Sequence, residues 1–289
     1  MHARPVFEHT SLLGEGPVWD SITKFICWVD IENGHIHQYN TLSKEHYTIS
    51  VHQPVGCIAT CHNKYFIAGL KSGFGLVHRI SGEIKMLEIP EKHLPRNRFN
   101  DGKCDPQGRF WAGSMSLDDE KGSGSLYMLD DGKVSTKISG VSISNGLAWS
   151  TKNVFYYIDT PTRGVDAWNY DPETGNISGK KRIINIPESE GWPDGMTIDA
   201  EGMLWIGHWD GWKVSRWDPS KGKKISEIML PVARVTACTF GGTSYQDLYI
   251  TTAKTGLTVK ALAEQPMAGC IFVVENCGST GLPTVEFNG

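Results

Sequence analysis

Three observations in the 289-residue sequence predict an all-β fold, a six-bladed β-propeller with four-stranded blades around a central channel. Aromatic-anchored β-type runs recur along the whole chain. Trp28, Phe66, Trp111, Tyr156, Trp205 and Tyr249 serve as anchors, separated by 38, 45, 45, 49 and 44 residues. No long segment sustains helical periodicity. A period near 45 with four short strands per unit is the signature of a propeller blade, and counting anchors gives six.

The anchor strands come in order as Phe25 to Asp30, Tyr65 to Ala68, Phe110 to Ala112, Val154 to Asp159, Leu204 to Gly207 and Asp247 to Ile250. Each is followed by a turn, an alternating strand and a charged or glycine-containing hairpin. The clearest of these continuations are Ile36 to Asn40, Ser125 to Gly132, Asp166 to Gly175 and Val214 to Pro219. Their Asp-Pro, Asp-Gly and Thr-Gly steps are turn chemistry, because proline presets φ and glycine supplies positive φ. The stretch from Thr258 to Glu264 reads as a short helix or a loop. A two-domain sandwich is the competing architecture. No Pro/Gly/Ser-rich linker divides the chain, so residues 1–289 read as a single propeller domain.

Composition excludes several function classes. A formal net charge of −4 and a pI near 6.2 give no footprint for nucleic acid or an anionic membrane. No apolar run approaches a membrane span, and Met1-His2-Ala3-Arg4-Pro5 leads into polar sequence without a secretory h-region. The seven cysteines are odd in number and scattered, which argues against a disulfide framework. Cys27, Cys104, Cys238 and Cys270 lie in apolar runs and read as small buried side chains. These features predict a cytoplasmic protein, and a closed propeller with few edges predicts a monomer.

A short phrase, in which an acidic or amide residue precedes glycine, recurs ahead of four of the strand pairs. It reads Gly14-Glu15-Gly16, Asn100-Asp101-Gly102, Ser144-Asn145-Gly146 and Pro193-Asp194-Gly195. Asn145 precedes Tyr156 by 11 residues and Asp194 precedes Trp205 by 11, whereas Glu15 precedes Trp28 by 13. In the third unit Asn100 and Asp101 precede Trp111 by 11 and 10, so either could occupy the shared phase. A lone Asp-Gly or Asn-Gly step is first of all a turn signal. Recurrence at matched phase on strands that line one channel points instead to oxygen donors converging on an axis. Such donors suit a hard or borderline divalent cation, with water or substrate completing the shell.

The chain resembles the SMP-30/gluconolactonase/LRE (regucalcin-like) family of sugar lactonases nearly end to end. The segments that carry the resemblance are Leu13 to Trp19, Asn97 to Lys103, Ile143 to Trp149, Pro193 to Asp199 and Phe240-Gly241-Gly242 followed by Leu248 to Ala253. Together and in this order they are specific, although each alone is weak. The resemblance implies a six-bladed propeller holding one divalent cation (Ca²⁺, Zn²⁺, Mn²⁺, Mg²⁺ or Fe²⁺) on Glu15, Asn145 and Asp194. It implies that Arg98 and Asn100 contact the substrate, that Asn100 approaches the metal, and that Asp101 supports its loop. The activity it implies is hydrolysis of a small-molecule sugar lactone to the aldonic acid. Relatives often carry a Glu shortly after the Arg-Phe-Asn segment as a further substrate contact; Asp118 aligns there by count, with a shorter side chain, and reads with Asn100 as a contact to substrate hydroxyls.

On this reading Asp194 activates or orients water. A cation-bound aspartate is a weak base, so metal-lowered water acidity is the other route to the nucleophile. Arg98 reads as a substrate contact through its planar fork, with a channel-mouth salt bridge to Asp101 as the alternative. His208 departs from the family pattern and reads as a packing or surface residue, with a pocket role as the alternative. The ten histidines show no metal-spaced pair, although His35 and His37 share one strand face and leave a surface ligand pair open. G-x-S-x-G, Walker A and H-E-x-x-H motifs are absent. Two other functions compete: a phosphotriesterase or aryl-esterase-like hydrolase using the same ion, and a non-catalytic metal-binding interaction propeller.

Overall fold

The computed structural model describes residues 2–289, and among them the chain forms six four-stranded antiparallel sheets. The innermost strands are Gly14–Asp20, Val55–Cys61, Asn97–Cys104, Ser144–Trp149, Trp192–Ile198 and Val235–Gly241. All six aromatic anchors sit on the second strands, from Trp28 in Phe25–Asp30 to Tyr249 in Asp247–Thr252. Inner strands such as Val55–Cys61 and Ser144–Trp149 are buried throughout, while outer strands such as Lys223–Met229 are largely exposed. This gradient explains the weak patterning of the fourth strands, which have one face in water and little core to specify them.

Chain order is broken once. The outermost strand of the sixth sheet is Arg4–Pro5, from the N-terminal segment, paired with Phe272–Val274. The ring is thus closed by non-local pairing between the two ends of the chain. The segment from Thr258 resolves as the helix Val259–Glu264, whose N-cap Thr258 side chain accepts from the Ala261 amide.

Two of the anchors, Trp111 and Trp205, are fixed by buried aspartates just beyond the inner strands. Asp105 accepts from the Gln107 and Arg109 amides through Oδ1 and from the Trp111 indole through Oδ2 at 3.0 Å. Asp199 repeats this with the Glu201 and Met203 amides and the Trp205 indole at 2.9 Å. One carboxylate therefore closes the hairpin turn and satisfies the indole N–H of a fully buried tryptophan, which is costly to leave unpaired. Between blades, apolar clusters such as Val29, Ile36, Val55, Phe66 and Val77 pack neighbouring sheets together.

Every innermost strand carries a register irregularity near its start, between Glu15 and Val18, Val55 and Cys57, Phe99 and Gly102, Asn145 and Leu147, Pro193 and Met196, and Val235 and Cys238. A bulge re-aims a side chain and interrupts strand alternation. The four repeated phrases coincide with these bulges. Two of the glycines that end these phrases are required where inner strands converge: a Cβ at Gly195 would lie 2.4 Å from Ala237 Cβ, and one at Gly146 would lie 2.9 Å from the Asp194 carbonyl oxygen.

Candidate functional site

The bulges bring Glu15, Asn145 and Asp194 together at one end of the channel, and all three are buried. The Glu15 and Asp194 carboxylates are within hydrogen-bonding reach of each other. Glu15 Oε2 also accepts from the Gly16 amide at 2.9 Å. Burial pushes the Glu15 carboxyl up to about 8, with Asp101 adding to the rise. Asp194 is raised by burial, then by the nearby charges of Glu15 and Asp101. Two carboxylates in a dry site cannot both ionise cheaply, so a proton or a cation held between them would lower the cost of the pair.

A hydrogen-bond relay orients the neutral members. Arg98 Nη1 donates to Asn100 Oδ1 at 2.6 Å and to the Phe99 carbonyl at 3.0 Å. Asn100 Nδ2 donates to Asn145 Oδ1 at 3.0 Å and to the Ser144 carbonyl at 2.8 Å. Asn145 Nδ2 donates to Thr160 Oγ1, and that hydroxyl donates to the Pro193 carbonyl, both at 2.8 Å. The relay fixes which way each amide faces and leaves Asn145 Oδ1, which accepts from Asn100, with one further acceptor lone pair. Arg98 is buried, and burial lowers it to about 10 against the raising influence of Glu15, Glu32 and Asp194.

Arg98 is bound to Asn100 and the backbone, and no ion pair joins it to Asp101. Asp101 Oδ1 instead accepts from the Gly102 amide at 2.7 Å. Asp101 lines a cavity of about 340 Å³, together with Gly16, Lys103, Cys104, Cys238 and the C-terminal residues Leu282 to Val285. Asp118 is not brought to the cluster. Its side chain is 54% exposed and pairs with Arg96, which holds its carboxyl below the usual range.

His208 is fully buried in the fifth blade, with Nε2 at 2.5 Å from Ser215 Oγ and Nδ1 without a partner. It is a packing residue here. Burial, then Lys213, lowers it to about 4 from the ordinary 6.5. The unfolded chain therefore binds a proton below about 6.5 that the folded chain refuses until about 4, so stability falls as pH drops through that window. The loss attributable to His208 reaches about 3 kcal/mol by pH 4. Urea denaturation at pH 7 and pH 5 should give a smaller difference for His208→Gln than for the unsubstituted protein.

Thr160 joins the site from outside the repeated phrases. It stands four residues beyond the anchor Tyr156, at the phase that Glu32 holds relative to Trp28. A threonine before proline reads as turn chemistry, and only this shared phase marks it as a rim position.

Comparison with known proteins bears on this geometry. A family model described as SMP-30/Gluconolactonase/LRE-like region matches residues 13–254. Regucalcin of Danio rerio is 38% identical over 289 residues, covering 98% of this chain and 97% of its own. A Bacillus subtilis protein named for sugar lactone lactonase activity, YvrE, is 39% identical over 281 residues, covering 96% of each. Among solved structures, a calcium-binding regucalcin from Agrobacterium tumefaciens superposes with a TM-score of 0.95 at 27% identity, over 99% of this chain and 97% of that one.

Proposed function

The chain belongs to the SMP-30/gluconolactonase/LRE-like family, and from that premise and the site geometry we propose that it hydrolyses a sugar lactone to the aldonic acid with the help of a divalent cation. The observation that carries this reading is the convergence of Glu15, Asn145 and Asp194 with the Arg98–Asn100 pair hydrogen-bonded into the same cluster. An interaction platform has no need of two buried carboxylates beside a buried guanidinium, which are costly to desolvate without a task.

The donor set fits a cation. Two carboxylates and an amide oxygen are hard ligands, and the repulsion between Glu15 and Asp194 is what a positive ion relieves. When bound, such an ion supplies Lewis-acid polarisation of a lactone carbonyl and compensation for the oxyanion that follows water addition. The remaining work falls to the protein. Asp194 accepts a proton from, or orients, the attacking water. Arg98 presents its remaining guanidinium donors to lactone oxygens, and Asn100 holds that guanidinium through its own amide oxygen. Polar recognition of this kind suits a polyol-like substrate better than an apolar ester.

Thr160 acts through Asn145. Thr160→Val leaves the Asn145 amide nitrogen and the Pro193 carbonyl unpaired, so cation affinity should fall by about 10- to 100-fold. Calorimetric titration with Ca²⁺ and Zn²⁺ checks this, and turnover at saturating cation should recover most of its value.

The substrate class is tested by acid release from a panel of aldonolactones run beside aryl esters and a phosphotriester. Acceleration confined to the lactones supports the proposal. Preference for the aryl ester or phosphotriester would move the site to another hydrolase class, and acceleration of none would favour a binding propeller.

A further inference from the structure

Outside the channel, one cluster of ligating side chains is assembled from three separate pieces of chain. His37 lies on the strand His35–Asn40, His46 begins His46–Ser50, and His9 lies on the N-terminal segment that runs from the sixth blade into the first. Strand alternation puts His35 and His37 on one face. The structure instead buries His37, at 1% exposure, and turns it towards His46 and His9. We propose that His9, His37 and His46 form a second metal site, a three-imidazole site for a borderline transition ion such as Zn²⁺, Ni²⁺ or Co²⁺, which clasps the ring-closing N-terminal segment to the first blade.

Geometry supports this first. One ring nitrogen from each histidine lies within 4.8 Å of the other two. His37 Nδ1 and His46 Nε2 are 3.2 Å apart. Two nitrogens bound tetrahedrally at the usual zinc–imidazole length are separated by about 3.4 Å, so small ring rotations would bring the three onto one ion.

Unpaired buried atoms are the second, independent observation. His37 Nε2 and His9 Nε2 are both buried with no hydrogen-bond partner. Such orphans are costly, and a native structure usually answers them with a ligand, an ion or water. His37 Nδ1 lies 3.0 Å from Thr48 Oγ1. His37 Nδ1 also faces His46 Nε2 and is the nitrogen offered to the ion, so His37 Nε2 carries the proton and the orphan that an ion would answer is His9 Nε2.

The surroundings favour a neutral nitrogen site. Trp28 stacks over His37 at 4.9 Å and over His46 at 5.7 Å, and Phe7 lies 4.7 Å from His46. Burial disfavours the charged form of His37 and His46, leaving both as neutral imidazoles. No carboxylate belongs to the donor set. Imidazoles without oxygen ligands select borderline transition ions over Ca²⁺ and Mg²⁺, so this site and the channel site would differ in the ions they take. His9 follows Arg4–Pro5, the strand that closes the sixth blade, and precedes the first inner strand. An ion here would therefore stabilise the closed ring by binding the folded state alone.

The test uses chelator-treated full-length protein, Zn²⁺ for affinity and thermal shift, and Co²⁺ as a spectroscopic probe. His9→Gln and His46→Gln are made separately; both positions are only partly buried, so the folded chain tolerates them more readily than a change at His37. The expected result is that Zn²⁺ raises the melting temperature of the unsubstituted protein and that Co²⁺ shows the visible absorption of nitrogen coordination. In each variant one fewer Zn²⁺ is bound at the corresponding affinity, with binding weakened by at least about 100-fold, and the thermal shift shrinks accordingly. Because the comparison is between protein and histidine variant, ion bound at the channel carboxylates cancels. Equal Zn²⁺ binding and equal thermal shift in the protein and both variants, or no nitrogen-type Co²⁺ spectrum, would overturn the proposal.

Discussion

Asp194→Asn is expected to reduce lactone turnover by at least about 10³-fold, since removal of a positioned base typically costs 10² to 10⁴ and the same change weakens cation binding. The variant should nevertheless melt higher than the unsubstituted protein when no cation is added. The reason lies in the buried pair: burial raises the proton affinity of both Glu15 and Asp194, and the Glu15 charge raises that of Asp194 further, in a site that solvates neither. Substituting an amide of the same shape removes one of two competing charges and leaves a group that can donate to the Glu15 carboxylate. Loss of function with gained stability is the mark of a residue retained for chemistry at a cost to the fold. Acid-release kinetics and scanning calorimetry on one preparation check both halves. A variant that keeps turnover, or that loses it by unfolding, would argue that Asp194 is structural.

Arg98→Met should lower kcat/KM by about 100-fold, or roughly 2.7 kcal/mol. The methionine preserves much of the buried volume but removes the donor to Asn100 Oδ1 and the positive charge facing Glu15 and Asp194. If Arg98 holds substrate oxygens, most of the loss appears in KM. If it serves only to orient Asn100, the loss appears in cation affinity, with KM intact at saturating metal. Steady-state kinetics across a cation series separates the two. An unchanged kcat/KM for every lactone would remove Arg98 from the binding machinery.

Much of the architecture was legible because it is periodic. A buried aromatic on every second strand is demanded by close packing between blades, and it leaves a mark such as Trp111 or Trp205 at each repeat. The phrases at Glu15, Asn145 and Asp194 were legible for the same reason. What local pattern does not encode was lost. The bulge between Phe99 and Gly102 breaks strand alternation, so neighbouring Asn100 and Asp101 could not be assigned to the cluster or to the cavity by parity. Arg4–Pro5 is too short to carry a strand signal, and its pairing with Phe272–Val274 spans nearly the whole chain. Asp118 matched by count, yet its loop carries it outward to Arg96. Thr160, His9 and His46 gain their partners only through tertiary placement, and side chains far apart in sequence announce nothing to one another.

The most direct test of the central claim is cation dependence of aldonolactone hydrolysis. Protein stripped with chelator and shown by circular dichroism to remain folded is assayed by pH indicator, then supplied separately with Ca²⁺, Mg²⁺, Mn²⁺, Zn²⁺ and Fe²⁺. The account predicts acid release at the spontaneous rate without cation, restored by at least one ion in the unsubstituted protein and by none in Asp194→Asn. Full lactonase activity in the stripped protein, or restoration in Asp194→Asn, would contradict it.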